Sequence, residues 1–322
     1  MASGKWGESF LKSGFPLEHL TFVTFKNAEW DCHPNFEYTR MNREKQEEWF
    51  EVDLVAKGPI FNKSTQLSML IECKYHDPSR YWFFLPHESS GRWLFDDRVL
   101  NCAPYQTLRR PRANTLLTAA PLSSRAIVVS QDGAKQDNAA HTAIQQVVNG
   151  FVPCALDWAF NYNINYTNVA DPRDELTFEP TVDALIPVVV TNAELFRLKP
   201  EIKDLDIIRK ASGPPDVADS VDWTWCYHEV PARLADQNLA AIRRHLKRVP
   251  DLVYRFPGIE DSMYLYAHRP NWIAVVNIRC LTTFINDVTH AFARTETAHV
   301  RTFLSPRSDP RKKSFRKSSK GR

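Results

Sequence analysis

The sequence predicts an α/β protein, with segments of strand period and segments of helix period following one another along the chain. Trp49–Ala56 alternates apolar and polar residues, as a half-buried strand does when successive side chains point to opposite faces, and in Leu67–Tyr75 an apolar run of strand length, Leu67, Met69, Leu70 and Ile71, leads into Glu72-Cys73-Lys74-Tyr75. Leu185–Thr191, reading Leu-Ile-Pro-Val-Val-Val-Thr, is a continuous apolar run suited to a strand covered on both faces. Between these, Ala140, Ile144 and Val148 recur at helical spacing. A chain of 322 residues, 43% hydrophobic and 25% charged, can bury a sizeable core as one large domain or two ordinary ones.

Taken in order, Ser9–Lys26 reads as a helix starting near Pro16, because proline suits the first helical position. Glu18 lies in its first turn, where a carboxylate interacts favourably with the helix dipole. Phe22 and Phe25 follow at i+4 and i+7, so Glu18 also lies on an apolar face. Glu29–Tyr38 reads as a strand with Trp30, Cys32, Phe36 and Tyr38 facing inward, and polar Thr39–Glu47 as a loop or hairpin connection. The two alternating strands come next, joined by Gly58–Gln66. Arg80–Leu85 is a short, very apolar strand ending at Pro86. His87–Ala120, with several prolines and Arg109-Arg110-Pro111-Arg112, reads as a partly irregular insertion.

Ala126–Ser130 is a short strand, Asp132-Gly133 a turn and Asn138–Asn149 a helix. After the apolar run, Asn192-Ala193 turns the chain into another strand, Glu194–Leu198. Beyond Pro200 come a short helix, a Gly213-Pro214-Pro215 break and a strand at Trp223–Tyr227. A basic amphipathic helix follows at Leu239–Leu246 with Arg243, Arg244 and Lys247, then a buried strand at Asn271–Asn277 and a closing helix at Leu281–Phe292. The resulting division is a core at 1–198, an α/β extension at 199–299 and a basic, disordered tail at 300–322.

The chemistry concentrates on Asp53, Glu72 and Lys74. Period two puts Glu72 and Lys74 on one face of their strand, and Asp53 can converge on them if the two strands are neighbours. Two carboxylates about 4 Å apart repel by roughly 4 kcal/mol at an effective dielectric near 20. Such a pair must hold a proton, bind a cation or lean on a lysine. Mg²⁺ suits the second option, since it takes one or two carboxylates and completes its shell with waters and substrate phosphate. A plainer alternative is a cross-strand ion pair between Glu72 and Lys74.

Glu51-Val52-Asp53-Leu54 together with Leu70-Ile71-Glu72-Cys73-Lys74-Tyr75 resembles the PD-(D/E)XK, or restriction-endonuclease-like, nuclease superfamily, closest to its Mrr-like and Holliday-junction-resolvase-like branches. Val52 stands where that family usually has proline, and the resemblance covers roughly the first 198 residues. It implies a mixed sheet flanked by helices in the order α-β-β-β-α-β. It also implies a Mg²⁺ site (Mn²⁺ as an alternative) on Asp53, Glu72 and the backbone carbonyl of Cys73, with Lys74 orienting the attacking water. Glu18 on the first helix and a glutamine on the later helix are the implied supports. Gln145 and Gln146 both flank the apolar stripe, and Gln146 fits the spacing better. The implied activity is endonucleolytic cleavage of DNA. RNA as substrate, a junction resolvase working as a homodimer, and an inactive binding protein of the same fold stand as alternatives.

Charge is unevenly spread. Residues 301–322 hold nine Lys/Arg and one Asp, net +8, so the body carries −5 of the total +3. Candidate nucleic-acid contacts are Arg109, Arg110 and Arg112 in the insertion and Arg311, Lys312 and Lys313 in the tail. Six cysteines without a C-x-x-C pair read as reduced thiols of a cytoplasmic protein. The opening residues lack the apolar core of a signal peptide, and the longest apolar run, Ala184–Val190, is too short to span a bilayer. There is no G-x-S-x-G elbow and no G-x-x-x-x-G-K-[ST] phosphate loop, and the Cys73/His76 and Cys226/His228 pairs lack zinc-finger spacing.

Overall fold

The computed structural model describes residues 5–41, 46–61, 65–87, 106–107, 121–130, 138–157, 182–248, 264, 266–293 and 301–302. The chain opens with helices α1 (Lys5–Lys12) and α2 (Phe15–Asn27), then strands β1 (Asp31–Met41), β2 (Glu47–Phe61), β3 (Thr65–Lys74), β4 (Arg80–Pro86), β5 (Gln106–Thr107) and β6 (Leu122–Ser130). Helix α3 (Ala139–Ala155) leads to β7 (Val182–Thr191) and β8 (Glu194–Leu198). Then follow α4 (Leu205–Lys210), α5 (Pro214–Val217), β9 (Ala218–Val221), β10 (Trp223–Tyr227), α6 (Ala232–Arg248), β11 (Trp272–Asn277), α7 (Leu281–Ala293) and β12 (Arg301–Thr302).

Ten of these strands form one mixed sheet in the order β1-β2-β3-β7-β11-β10-β6-β4-β8-β9, while β5 and β12 pair with each other. β1, β2 and β3 form an antiparallel meander, and β7 returns parallel to β3, setting Glu72 opposite Val189 and Lys74 opposite Thr191. Strands β10 and β11, from the chain's second half, lie in the middle of the sheet between β7 and β6. Every residue of β11 is buried, the expected state of a strand with helices on both faces.

Helices cover both faces. On one, Leu17 and Phe25 of α2 and Phe284 and Val288 of α7 pack on Leu54, Ile71, Val190 and Val276. On the other, Phe151 and Val152 of α3 and Ile242 and Leu246 of α6 pack on Val52, Val55 and Leu70. The earlier turns of α3 bring Ile144 and Val147 onto Trp82, Val189 and Val275. Among the described residues no helix is long and apolar enough to cross a membrane, and five cysteines are free thiols.

Three local expectations are corrected. The helix expected over Ser9–Lys26 does start near Pro16, as α2, but the residues before it form a separate helix, α1, because Gly14 adopts a left-handed φ of 84° between them. The loop or hairpin connection expected at Thr39–Glu47 does join two antiparallel strands but is shorter than expected: β1 runs to Met41 and pairs with β2 as far as Glu47. Helix α3 does not stop at Asn149 but continues to Ala155 through Gly150 and Pro153, both poor helix residues. The tertiary structure compensates for each of them. Pro153 has no N–H for the carbonyl of Asn149, four residues back, and Arg40 of β1 supplies the missing donors from Nε (3.0 Å) and Nη2. A Cβ on Gly150 would lie 2.7 Å from Val52 Cγ2, so its bareness lets α3 approach β2.

Candidate active site

The site forms where β2 and β3 part. Their backbone pairing holds at Leu54 opposite Ile71, and extending the register by one residue sets Asp53 opposite Glu72. There a side chain replaces the ladder: the Cys73 N–H donates to Asp53 Oδ2 at 2.6 Å. The parting coincides with a change of face on β1 and β2. Cys32 and Leu54 pack in the α2–α7 core, whereas Phe36, Tyr38 and Val52 pack with α3 and α6. Strict alternation would have kept Cys32, Phe36 and Tyr38 together, and likewise Val52 and Leu54. Between Cys32 and Phe36 stands Asn35, at φ 57°, a left-handed conformation that asparagine tolerates better than most residues. The shared inward face expected of Trp30, Cys32, Phe36 and Tyr38 is therefore split at Asn35.

Glu72 is 4% exposed, and its Oε2 is buried without a hydrogen-bond partner. Burial pushes its carboxyl up to about 9, helped next by the charge of Asp53 and opposed by Lys74. Asp53 is raised to about 6, again by burial first; the Cys73 amide pulls it down, Glu18 and Glu51 push it up, and Lys74 pulls it down. Glu18, half-buried on α2, is raised by burial and then by Glu51. Four acids and one lysine thus sense one another from α2, β2 and β3. Among the described residues no ion pair joins Lys74 to any of these acids, so the Glu72–Lys74 pair of the plainer alternative is not formed as a contact.

The neighbouring groups hold this frame. The Cys73 thiol faces α2, with Sγ 3.5 Å from Thr21 Oγ1, and burial holds it well above the ordinary thiol range, so it packs rather than reacts. Just past Lys74, His76 N–H donates to Asn192 Oδ1 at 2.6 Å and Asn192 Nδ2 donates to the His76 carbonyl at 2.7 Å, tying the end of β3 to the β7–β8 turn. On α3, Gln145 is exposed while Gln146 is half-buried with Oε1 enclosed and without a partner. Gln146 stands one helical turn before Gly150, on the helix face that crosses β2 and β3.

No family model matches this chain, and neither a curated protein nor a solved structure matches it.

The structure brings Asp53, Glu72, Lys74 and Glu18 into electrostatic reach of one another. The basic candidates Arg109, Arg110, Arg112, Arg311, Lys312 and Lys313 lie outside the described residues. Sequence reasoning did not select Glu51 as a site residue, although its place two residues before Asp53 was the available signal. It also missed Tyr38, whose hydroxyl is pushed up to about 12 by burial, with the charge of Glu72 among the lesser causes. Among the described residues no group of three or more His, Cys, Asp and Glu side chains is arranged to hold a metal ion.

Proposed function

We propose that the chain is a divalent-metal-dependent endonuclease that hydrolyses DNA phosphodiester bonds, with Asp53, Glu72 and Lys74 at its centre. The observation that carries this reading is the buried Glu72 carboxylate, with one oxygen unmatched, beside Asp53 on the neighbouring strand. Most buried polar atoms of a fold are matched, and strongly perturbed carboxylates cluster at functional sites. The helix, the antiparallel meander, the covering helix α3 and the parallel strand β7 are compatible with the restriction-endonuclease-like arrangement that the sequence motif resembles.

The residues fit a hard cation that brings most of its own ligands. Glu72 Oε2 is unmatched, and Asp53 keeps Oδ1 while Oδ2 accepts from Cys73. Two carboxylates, with the Cys73 carbonyl as a further candidate, suit Mg²⁺ or Mn²⁺, whose remaining positions are filled by waters and a substrate phosphate. Such an ion would act as Lewis acid and lower the pKa of a bound water. This chain's own groups do the rest. Asp53 is fixed in orientation by the Cys73 amide. Lys74, free of ion pairs among the described residues, is available to a water or a phosphate oxygen. Glu18 adds negative charge from α2, and Gln146 offers an amide from α3.

Plasmid, single-stranded DNA and RNA are each incubated with the full chain in Mg²⁺ and in EDTA, with Asp53→Ala as control. Cleavage that needs both the metal and Asp53 is the expected result. Metal binding without cleavage of any substrate would favour the alternative of a fold retained for binding, in keeping with the negative body of the chain.

A further inference from the structure

Beside the acid cluster, on the α3–α6 side of β1 and β2, lies a groove of about 650 Å³ lined by residues of β1, β2, α3 and α6, among them Phe50, Asn149, Arg233 and Gln237. That volume is within the range of small-ligand clefts, about 300–1,000 Å³. Aromatic rings connect the groove to the site. Phe36 stacks on Tyr38 with centroids 6.1 Å apart, and Tyr38 stacks on Phe50 at 5.6 Å, each pair tilted by 20°. Tyr38 is close enough to Glu72 to feel its charge, and Phe50, at 37% exposed, lines the groove. Phe50, which lines the groove, precedes Asp53 by three residues on β2.

We propose that this groove takes an unpaired nucleotide of the substrate strand, its base on Phe50 and its phosphate on Arg233. The inference rests on the nuclease reading and narrows its substrate to nucleic acid with single-stranded character near the cleaved bond. An exposed aromatic face suits any base, since every base has a stacking face. Arg233, exposed at the start of α6, makes no ion pair among the described residues and can meet a phosphate. The amide of Asn149 and the Oε1 of Gln237, whose Nε2 donates to the Met41 carbonyl at 3.0 Å, can meet base edges.

Fluorescence anisotropy in EDTA, on the full chain, measures binding of a single strand, a blunt duplex and a duplex with a single-stranded overhang. Phe50→Ala is expected to weaken binding of the single strand and the overhang by about tenfold, the scale of one lost base stack, while leaving the blunt duplex within about twofold. Phe50→Trp restores it. Arg233→Ala is expected to weaken binding of the same two probes and to flatten their salt dependence. Thermal melts confirm that the variants are folded. Unchanged single-strand binding in Phe50→Ala, or an equal loss on the blunt duplex, overturns the inference. Cleavage of plasmid by wild type in Mg²⁺, measured separately, keeps the nuclease reading standing in that event. If wild type binds the single strand through Phe50 but cuts nothing, the nuclease reading falls and the groove remains. If it neither binds nor cuts, both fall.

Discussion

Two polar clusters on the same part of the sheet are built on opposite principles. Around Arg40 buried donors meet acceptors: the guanidinium donates to the Asn149 carbonyl and to Asn238 Oδ1 at 3.0 Å, and Asn238 Nδ2 donates to the Ala267 carbonyl at 2.9 Å. The ring of Tyr38 lies 5.7 Å from the guanidinium carbon. This node joins β1, α3 and α6, and it repairs the gap that Pro153 opens in α3. Around Glu72 the opposite holds. Acids accumulate, one buried oxygen goes unmatched, and among the described residues the lysine forms no ion pair with them. The first cluster holds the fold together. The second carries a repulsion that a proton or a cation would relieve, the feature on which the proposed metal site rests.

The sharpest way to break this contrast is Lys74→Ala. Cleavage should fall by about 10²-fold or more, because the water and the developing phosphate charge lose their partner, while the melting temperature and metal binding persist. Plasmid cleavage beside a calorimetric metal titration decides it; a variant that cuts at the wild-type rate would return Lys74 to an ordinary surface role.

Arg40→Ala should have its largest effect on stability instead. It leaves the Asn149 carbonyl and Asn238 Oδ1 without their donor, at a cost of about 3 kcal/mol in denaturant unfolding. Gly150→Ala should cost about 1–3 kcal/mol, since the new methyl meets Val52 Cγ2 and α3 must shift away from β2.

Glu72 links the comparison to pH. Its folded pKa, about 9, is above the ordinary 4.5, so between those values the native state holds a proton that the unfolded chain has lost. Its contribution to stability is full below about 4.5 and is lost as pH rises through about 9. The metal-free protein should therefore melt progressively lower across that window, whereas Glu72→Gln should flatten the slope by an amount on the order of 1 kcal/mol per pH unit. Mg²⁺ should raise the melting temperature more at pH 8 than at pH 6, because it binds the ionised carboxylates. The smallest effect belongs to the exposed Asp31 on β1, whose contacts with His33 and Lys26 are surface pairs. Asp31→Asn should change stability by less than about 0.5 kcal/mol.

Much of this was legible in the chain itself. Strands β3, β8, β10 and β11 follow from short apolar or alternating runs bounded by turn residues, which is local information. Strand β8 at Glu194–Leu198 and strand β10 at Trp223–Tyr227 have the limits that the sequence suggests. The residue types at 53, 72 and 74 and their period-two spacing already set two carboxylates and a lysine apart as a candidate site. What depended on distant partners was not legible. Helix α3 passes Gly150 and Pro153 because Arg40, more than a hundred residues earlier, supplies a donor and because β2 needs a close neighbour. The change of face at Asn35 depends on a single left-handed residue that no periodicity reveals. The burial of Glu72 beside Asp53, and so the repulsion between them, required β2 to part from β3 at that residue. The entry of β10 and β11 into the centre of the sheet required pairing between residues far apart in sequence. Sequence fixes local conformation through side-chain shape and periodicity, but register, burial and electrostatic coupling are properties of pairs, and those pairs exist only once the chain has folded.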